Sequence, residues 1–388
     1  MGALQVWDAV RCTLLLSSKL ELAGAQLSCA TYARSGTLVV VGSTSGASIV
    51  LKGDDLSVVE RFKNSRTAIT AVSISSKAQH IAAATADGFI QLMFLVPYKS
   101  TMRWEYVGRA KVHYAPIIAV HFGEAPSGET RCFSLSEDGR LAEYDIAASS
   151  LEAGVLVGEQ VSACLHATPT AMTFTPPLAY FQRGVIDTQL VIADSSYHMR
   201  VFNPDNHVTS GTYRSPTCGD PLTQMVMFHT ADTDCTLVAY RCVTTHDWPA
   251  TEVHCLLLLP SSISRGVCYL NMLSECDTQC RSKKQAAGIM LWPTDGHPAS
   301  MAAILAHPGE IASISVSCDG RRLITASKDG HVNQWNINVL ALRARTEAVG
   351  SGPSRWQSVL DGDMSFEEVQ RHAAAPILRY VLHQGVIV

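Results

Sequence analysis

The sequence has little charge, no excess of basic residues and no long apolar run. Charged residues make up 16% of the 388 residues, and the formal net charge is −4. Nucleic-acid binding through the phosphate backbone needs a broad positive field, so this balance predicts no nucleic-acid partner. The apolar run 255–259 ends at Pro260, far short of a bilayer span, and we expect no membrane partner.

The twelve cysteines lack the spacing of a disulfide framework or of a structural zinc site. No CxxC pair occurs, and the two closest cysteines are Cys276 and Cys280. A zinc site on these two residues would need a second pair at ligand spacing, which the sequence does not contain. We therefore expect reduced thiols that mostly fill the core of an intracellular protein, and no metal or other cofactor.

What the sequence does contain is a series of short apolar runs joined by turns rich in Asp, Gly and Ser. The run 80–84, for example, leads through Asp87 and Gly88 to a second run at 89–92. An Asp-Gly pair between two such runs favours a tight hairpin, because both residues tolerate a positive φ. The turn glycines Gly46, Gly88 and Gly139 lie 42 and 51 residues apart. This period is typical of the four-stranded blades of a β-propeller.

The runs group into six predicted blades. Their ranges are 27–61, 67–107, 116–160, 169–212, 221–305 and 311–345, with a loop insertion at 262–286 in the fifth. Residues 1–22 are predicted to form the third and outer strands of a further, incomplete blade, whose two inner strands are absent. We therefore expect that this polypeptide does not close its ring alone. A partner chain carrying upstream strands would complete it; alternatively, the first residues pack on the sixth blade and close a smaller ring.

Beyond the predicted propeller at 1–345, residues 346–388 form a predicted linker and helical tail. Ser365 and Glu368 make a capping box, which predicts a helix over 365–375. Pro376 then ends or kinks the helix, and an apolar stripe follows at 377–382.

The last predicted blade has a distinctive set of residues. His307, Ser327, Asp329 and Trp335 follow one another at the spacing of a WD40 blade, in which such residues form a buried hydrogen-bonded network. The predicted fold class is thus an all-β WD40 β-propeller of about seven blades, one of them incomplete, with a short helical tail. A Ser-His-Asp set would also suit a hydrolase, but no nucleophile elbow is present, and we expect no catalytic residues.

Three residues of the second blade are candidate partner contacts. Arg103, Trp104 and Tyr106 combine arginine with aromatic residues, the types that are enriched in interface hot spots. Trp104 and Tyr106 fall on one predicted outer strand and could equally pack there. Both interpretations stay open at the level of the sequence.

Several short segments resemble the C-terminal propeller of the cilia- and flagella-associated protein 251 family. These are residues 65–67, 103–107, 143–145, 169–170, 176–178, 201–203, 293–296, 307–308 and 334–337, with a weaker likeness at 360–362. Members of that family are WD-repeat subunits of the calmodulin- and spoke-associated complex at a radial-spoke base. They are longer, with an upstream propeller and an EF-hand-like segment, whereas this chain stops at Val388.

The resemblance implies a non-enzymatic scaffold of the motile-cilium axoneme. The expected partners are radial-spoke base proteins, subunits of the calmodulin- and spoke-associated complex, tubulin, and a chain with the upstream propeller. The expected location is the cytoplasm, cytoskeleton and axoneme of a cilium or flagellum. The alternative is a general intracellular WD40 adaptor, such as a ubiquitin-ligase substrate receptor or a trafficking-complex subunit.

Overall fold

All regular elements that the computed structural model describes are β-strands. The described residues are 2–8, 13–22, 24–33, 35–125, 127–164, 166–174, 189–196, 198–214, 222–230, 235–242, 252–258, 287–293, 303–307, 311–317, 322–327, 330–336 and 378–381. Over these ranges there is no helix of the length and hydropathy needed to cross a membrane.

The strands form one hairpin and six larger sheets. The N-terminal hairpin consists of β1 (Gly2–Asp8) and β2 (Thr13–Leu20). Sheet 1 contains β3 (Leu27–Tyr32), β4 (Leu38–Ser43), β5 (Ser48–Lys52) and β6 (Val58–Phe62). Sheet 2 contains β7 (Ile69–Ile74), β8 (His80–Thr85), β9 (Phe89–Tyr98) and β10 (Thr101–Lys111). Sheet 3 contains β11 (Ile117–Glu124), β12 (Thr130–Ser136), β13 (Arg140–Ser150) and β14 (Gly154–Ser162).

Three further sheets follow in chain order. Sheet 4 contains β15 (Pro169–Phe174), β16 (Leu190–Asp194), β17 (His198–Asn203) and β18 (Val208–Arg214). Sheet 5 contains β19 (Leu222–Thr230), β20 (Cys235–Cys242), β21 (Glu252–Leu258), β22 (Ala287–Pro293) and β23 (Ala303–His307). Sheet 6 contains β24 (Ile311–Val316), β25 (Arg322–Ser327), β26 (His331–Asn336) and β27 (Leu378–Val381).

The sheets are antiparallel meanders in which consecutive strands pair, with one exception in sheet 5. There β21 and β22 pair in parallel, with Glu252 opposite Gly288. Parallel neighbours need a crossover connection, and the segment that makes it contains the predicted insertion 262–286, which lies outside the described residues. The first strands of successive sheets (β3, β7, β11, β15, β19 and β24) contact one another in turn. The sheets therefore stack face to face in chain order.

The outer strand of sheet 6 differs from the sequence-based prediction. The repeat pattern predicts this strand before residue 345, but β27 comes from 378–381 and pairs with β26, with His331 opposite Val381. A short apolar run such as 377–382 suits a helical tail and a strand equally well, because periodicity alone does not distinguish them. The strand gives β26 a partner on its outer edge. The predicted helix 365–375 lies outside the described residues.

The described core lies between the sheets, and sheets 1, 2 and 3 are buried on both faces. Ile81 and Ala83 of β8 face sheet 1, whereas Ala82 and Ala84 face sheet 3. The next layer, between sheets 3 and 4, is formed around Phe133 and its neighbours. Burial on both faces explains why these strands are continuous apolar runs rather than alternating ones.

The N-terminal hairpin occupies the position of a preceding blade. Leu4, Val6 and Leu16 of the hairpin pack on the face of sheet 1 that carries Val39 and Val41. The opposite face of sheet 1, with Val40 and Val50, packs on sheet 2. Of the described strands, β1 has only β2 as a neighbour in its sheet.

Two turn glycines make close backbone contact with the segment that follows the last strand of their own sheet. Gly88 and Gly139 have φ values of +85° and +81°. A Cβ at either position would collide with a carbonyl oxygen just beyond the last strand of the same sheet, that of His113 or Cys164. Glycine is thus required at these turns both for its conformation and for the space it leaves.

Candidate partner-binding groove

β10, the outer strand of sheet 2, carries the three residues that the sequence nominates as partner contacts. Arg103 is exposed, whereas Trp104 is 3% exposed and Tyr106 is half-buried. Trp104 and Tyr106 lie two residues apart and both pack in the core between sheets 1 and 2. Core packing accounts for the two aromatic residues, and Arg103 is the one of the three that presents its side chain to solvent.

A groove of about 510 Å³ opens beside Arg103, between sheets 1 and 2. Each of the two sheets has two turns at the end where the groove lies. One turn joins its first strand to its second, and the other joins its third strand to its fourth. The lining residues are Thr37, Leu38, Lys52, Val59, Glu60, Lys77, Ala78, Leu95, Met102, Arg103 and Trp104.

The groove combines an apolar lining with a cationic rim. Leu38 and Leu95 are partly buried in the layer between the two sheets, and Met102 at the rim is 54% exposed. Lys52, Lys77 and Arg103 are exposed on the rim, with Glu60 as the carboxylate among the lining residues.

The surface beside the groove is also basic and aromatic. The guanidinium of Arg103 lies 5.7 Å from the ring centroid of Tyr98, a distance within the range of cation–π attraction. Arg103 is recognisable from its residue type and neighbours in the sequence, whereas Lys52, Lys77 and Met102 are not, because only the stacking of two sheets brings them together.

The predicted hydrogen-bonded network of the last blade is described only around Trp335. Its indole Nε1 donates a 3.0 Å hydrogen bond to Oγ1 of Thr325, and both side chains are buried. Asp329 and the side chains of His307 and Ser327 lie outside the described part of the structure. The hydroxyl that contacts the indole is that of Thr325, a residue outside the predicted set.

Sheet 3 contains a related chain of buried polar groups. His113 Nε2 lies 2.6 Å from Ser134 Oγ, which lies 2.9 Å from Tyr144 Oη. Ser134 precedes Tyr144 by ten residues, as Thr325 precedes Trp335. This shared spacing is the sequence signal that would have identified Thr325.

The described histidines and cysteines form no exposed catalytic set. His113 and Ser134 are in hydrogen-bond contact, but both are fully buried and closed to a substrate. Burial raises the pKa of the Cys29 and Cys164 thiols to about 11, so neither is an activated nucleophile. No group of three His, Cys, Asp or Glu side chains that could hold a metal ion occurs where the structure is described.

Comparison with known proteins identifies the fold. The family model described as WD domain, G-beta repeat matches residues 300–336, which include β24, β25 and β26. The chain has the fold of a β-propeller and contains a WD40 repeat. The recurring sheets, the buried Trp335 and the turn glycines are the parts of this propeller that the sequence anticipated.

Curated relatives of the propeller carry one name. The chain is 44% identical over 194 residues to "Cilia- and flagella-associated protein 251" of Chlamydomonas reinhardtii, which covers 50% of this chain and 23% of the relative. It is 26% identical over 371 residues to the protein of the same name from Mus musculus, which covers 93% of this chain and 25% of the relative. The chain thus spans about a quarter of the length of these relatives.

A solved structure supports the fold at lower similarity. A chain in the crystal structure of the mitotic checkpoint complex superposes with a TM-score of 0.54 and 11% identity, covering 86% of this chain and 81% of that one. At this identity the likeness concerns the fold alone.

Proposed function

We propose that this propeller is a non-enzymatic scaffold of the motile-cilium axoneme. The observation that carries the proposal is the 44% identity over half of the chain to a cilia- and flagella-associated protein. The structure suits the role, because a propeller presents rigid turns and inter-sheet grooves to several partners at once. The contact pair His113 and Ser134 is buried, and the thiols of Cys29 and Cys164 are not activated, which fits a non-catalytic role.

The proposed partners are radial-spoke base proteins, subunits of the calmodulin- and spoke-associated complex, and tubulin. A fluorescently tagged chain expressed in a ciliated cell is expected along the axoneme, and affinity purification from extracted axonemes is expected to recover these proteins. A vesicular or diffuse cytosolic signal, with ubiquitin-ligase or coat subunits recovered instead, would support the general adaptor and exclude the axonemal role.

We further infer that strands from outside the described residues complete the blade of the N-terminal hairpin. The hairpin is two-stranded, whereas the six other sheets have four or five strands. It nevertheless packs on sheet 1 through Leu4, Val6 and Leu16, as a blade packs on its neighbour. The inner edge of β1 is then a site for strand addition by a polypeptide with the upstream propeller.

Hydrogen exchange tests this completion. The chain would be expressed alone and together with the upstream propeller segment, and exchange of the backbone amides in β1 would be compared. We expect slower exchange and a higher soluble yield in the co-expressed sample, because added strands protect amides on the inner edge. Equal exchange in both samples would show that β1 receives no partner from that segment.

A further inference from the structure

The groove between sheets 1 and 2 has an exposed apolar rim that packing does not explain. Met102 is 54% exposed and Val59 is 40% exposed, on opposite walls of the groove. Between them lie the half-buried side chains of Leu38 and Leu95. An apolar side chain of a bound segment would cover this surface and gain free energy in proportion to the area buried.

Three of the four charged residues in the groove lining are cations, while Asp54 and Asp55 follow Lys52 in the β5–β6 turn outside the lining. Lys52 and Arg103 stand on opposite walls, and neither forms a salt bridge in the part of the chain that the structure describes. Lys77 donates a 3.3 Å hydrogen bond from Nζ to the carbonyl oxygen of Gly128. With Glu60 the one carboxylate in the lining, the groove favours a ligand that brings negative charge.

The strand that lines one wall of the groove is also an edge strand. β6, which contributes Val59 and Glu60, is the last strand of sheet 1 and pairs with β5 on its inner side. The backbone on its outer side can pair with an extended segment, as in recognition by strand addition. A phospholipid headgroup or a nucleic acid would not use these groups in this way, so the geometry favours a peptide.

We propose that this groove binds an acidic, extended peptide segment of a partner protein. One aliphatic or aromatic side chain of the segment rests on Leu38, Leu95 and Met102, and the flanking carboxylates pair with Lys52 and Arg103. The proposal deepens the scaffold function by giving the chemistry of one partner. It relies on that function only for the assumption that the partner is a protein.

Fluorescence anisotropy with defined peptides tests the proposal on the full chain. The probe is a fluorescein-labelled peptide with a leucine between two pairs of glutamates. Two comparison peptides carry lysines in place of the glutamates, or serine in place of the leucine. We expect saturable binding of the first peptide, weaker binding of the serine peptide, and no binding of the lysine peptide.

Charge reversal of the groove provides the decisive variant. The K52E/R103E double variant is expected to weaken binding of the acidic peptide by about tenfold or more, since each reversal replaces an attraction with a repulsion. The same variant is expected to gain affinity for the lysine peptide. The matched control is K63E/R66E, which reverses two exposed charges beyond the other end of β6 and should leave binding unchanged.

Three results would overturn the proposal. One is the absence of saturable binding; another is equal affinity of the wild-type chain and K52E/R103E for the acidic peptide. The third is equally tight binding of single-stranded RNA or anionic vesicles with the same dependence on the two cations, which would indicate a general polyanion site. Thermal unfolding of each variant would confirm that its fold is retained. These outcomes would leave the axonemal localisation and co-purification results unaffected.

Discussion

The indole Nε1 of Trp335 donates a 3.0 Å hydrogen bond to Oγ1 of Thr325 on the neighbouring strand. Both side chains are sealed inside sheet 6, so neither group can exchange its partner for water. The last blade of the propeller is therefore held by a polar contact as well as by apolar packing.

Replacing Thr325 with Val tests this contact. The change preserves the shape of the side chain but leaves the buried indole N–H without an acceptor, and we expect the free energy of unfolding to fall by about 1–3 kcal/mol. Urea denaturation of the two proteins measures the difference. Thr209→Val at an exposed position of β18 is the control and should change stability by less than about 0.5 kcal/mol. A loss as small as the control's would mean that the hydrogen bond is not a stabilising feature of sheet 6.

Asp329→Ala tests the predicted network beyond the described residues. If Asp329 belongs to a buried network with His307 and Trp335, we expect a loss of about 2–4 kcal/mol of unfolding free energy, because its partners are left unsatisfied. An exposed turn residue would give a change within about 0.5 kcal/mol. A change in unfolding free energy within about 0.5 kcal/mol would exclude the network in this blade.

Gly139→Ala and Gly128→Ala form a matched pair that separates backbone strain from collision. The two glycines have φ values of +81° and +83°, but an added Cβ at Gly139 would meet the carbonyl oxygen of Cys164, while at Gly128 it would have nothing within 4 Å. We expect about 1 kcal/mol of destabilisation at Gly128 from the left-handed conformation alone, and about 3 kcal/mol or more at Gly139. Equal losses in chemical denaturation would show that the turn can move away from Cys164.

The buried imidazole of His113 makes stability dependent on pH. Burial lowers the pKa of His113 from 6.5 to about 4, with weaker opposing and reinforcing effects of Asp138 and Arg140. The unfolded state therefore binds the proton at a higher pH than the folded state does. Stability from this group is fully present above pH 6.5 and is lost as the pH falls towards about 4.

Comparison of the wild-type chain with His113→Asn measures this contribution. Between pH 6 and pH 4.5, wild-type stability should fall by about 1 kcal/mol per pH unit more steeply than that of the variant, since Asn does not titrate. Denaturation curves at several pH values would give the two slopes. Parallel slopes would show that His113 is readily protonated in the folded protein.

Arg131 links sheet 3 to the turn of sheet 4. It donates to both carboxylate oxygens of Glu143, at 2.6 and 3.0 Å, and also to Asp205 and the carbonyl oxygen of Pro204. We expect Arg131→Met to cost about 2–3 kcal/mol, a value below that of a fully buried pair because these side chains remain partly exposed. Arg140→Met, at the exposed first residue of β13, is the control for thermal and chemical denaturation.

Sequence patterns anticipated the repeating sheets because their determinants are local. An Asp-Gly turn and the two apolar runs around it, such as 80–84 and 89–92, contact one another within a few residues of chain. The candidate groove between sheets 1 and 2 is harder to predict from local sequence patterns. Arg103 was identified by residue type, but the burial of Trp104 depends on a face of sheet 1 that is distant in sequence.

The sequence by itself determined the all-β class, the blade period and the glycine turns, since each depends on φ preferences and apolar periodicity within one hairpin. Only the tertiary structure decided three other features. It placed Leu378–Val381 as the outer strand of sheet 6, seated the N-terminal hairpin on sheet 1, and brought Lys52 and Arg103 to the two walls of one groove. Each of these depends on contacts between segments far apart in the chain, and no local pattern encodes which distant surface a residue will meet.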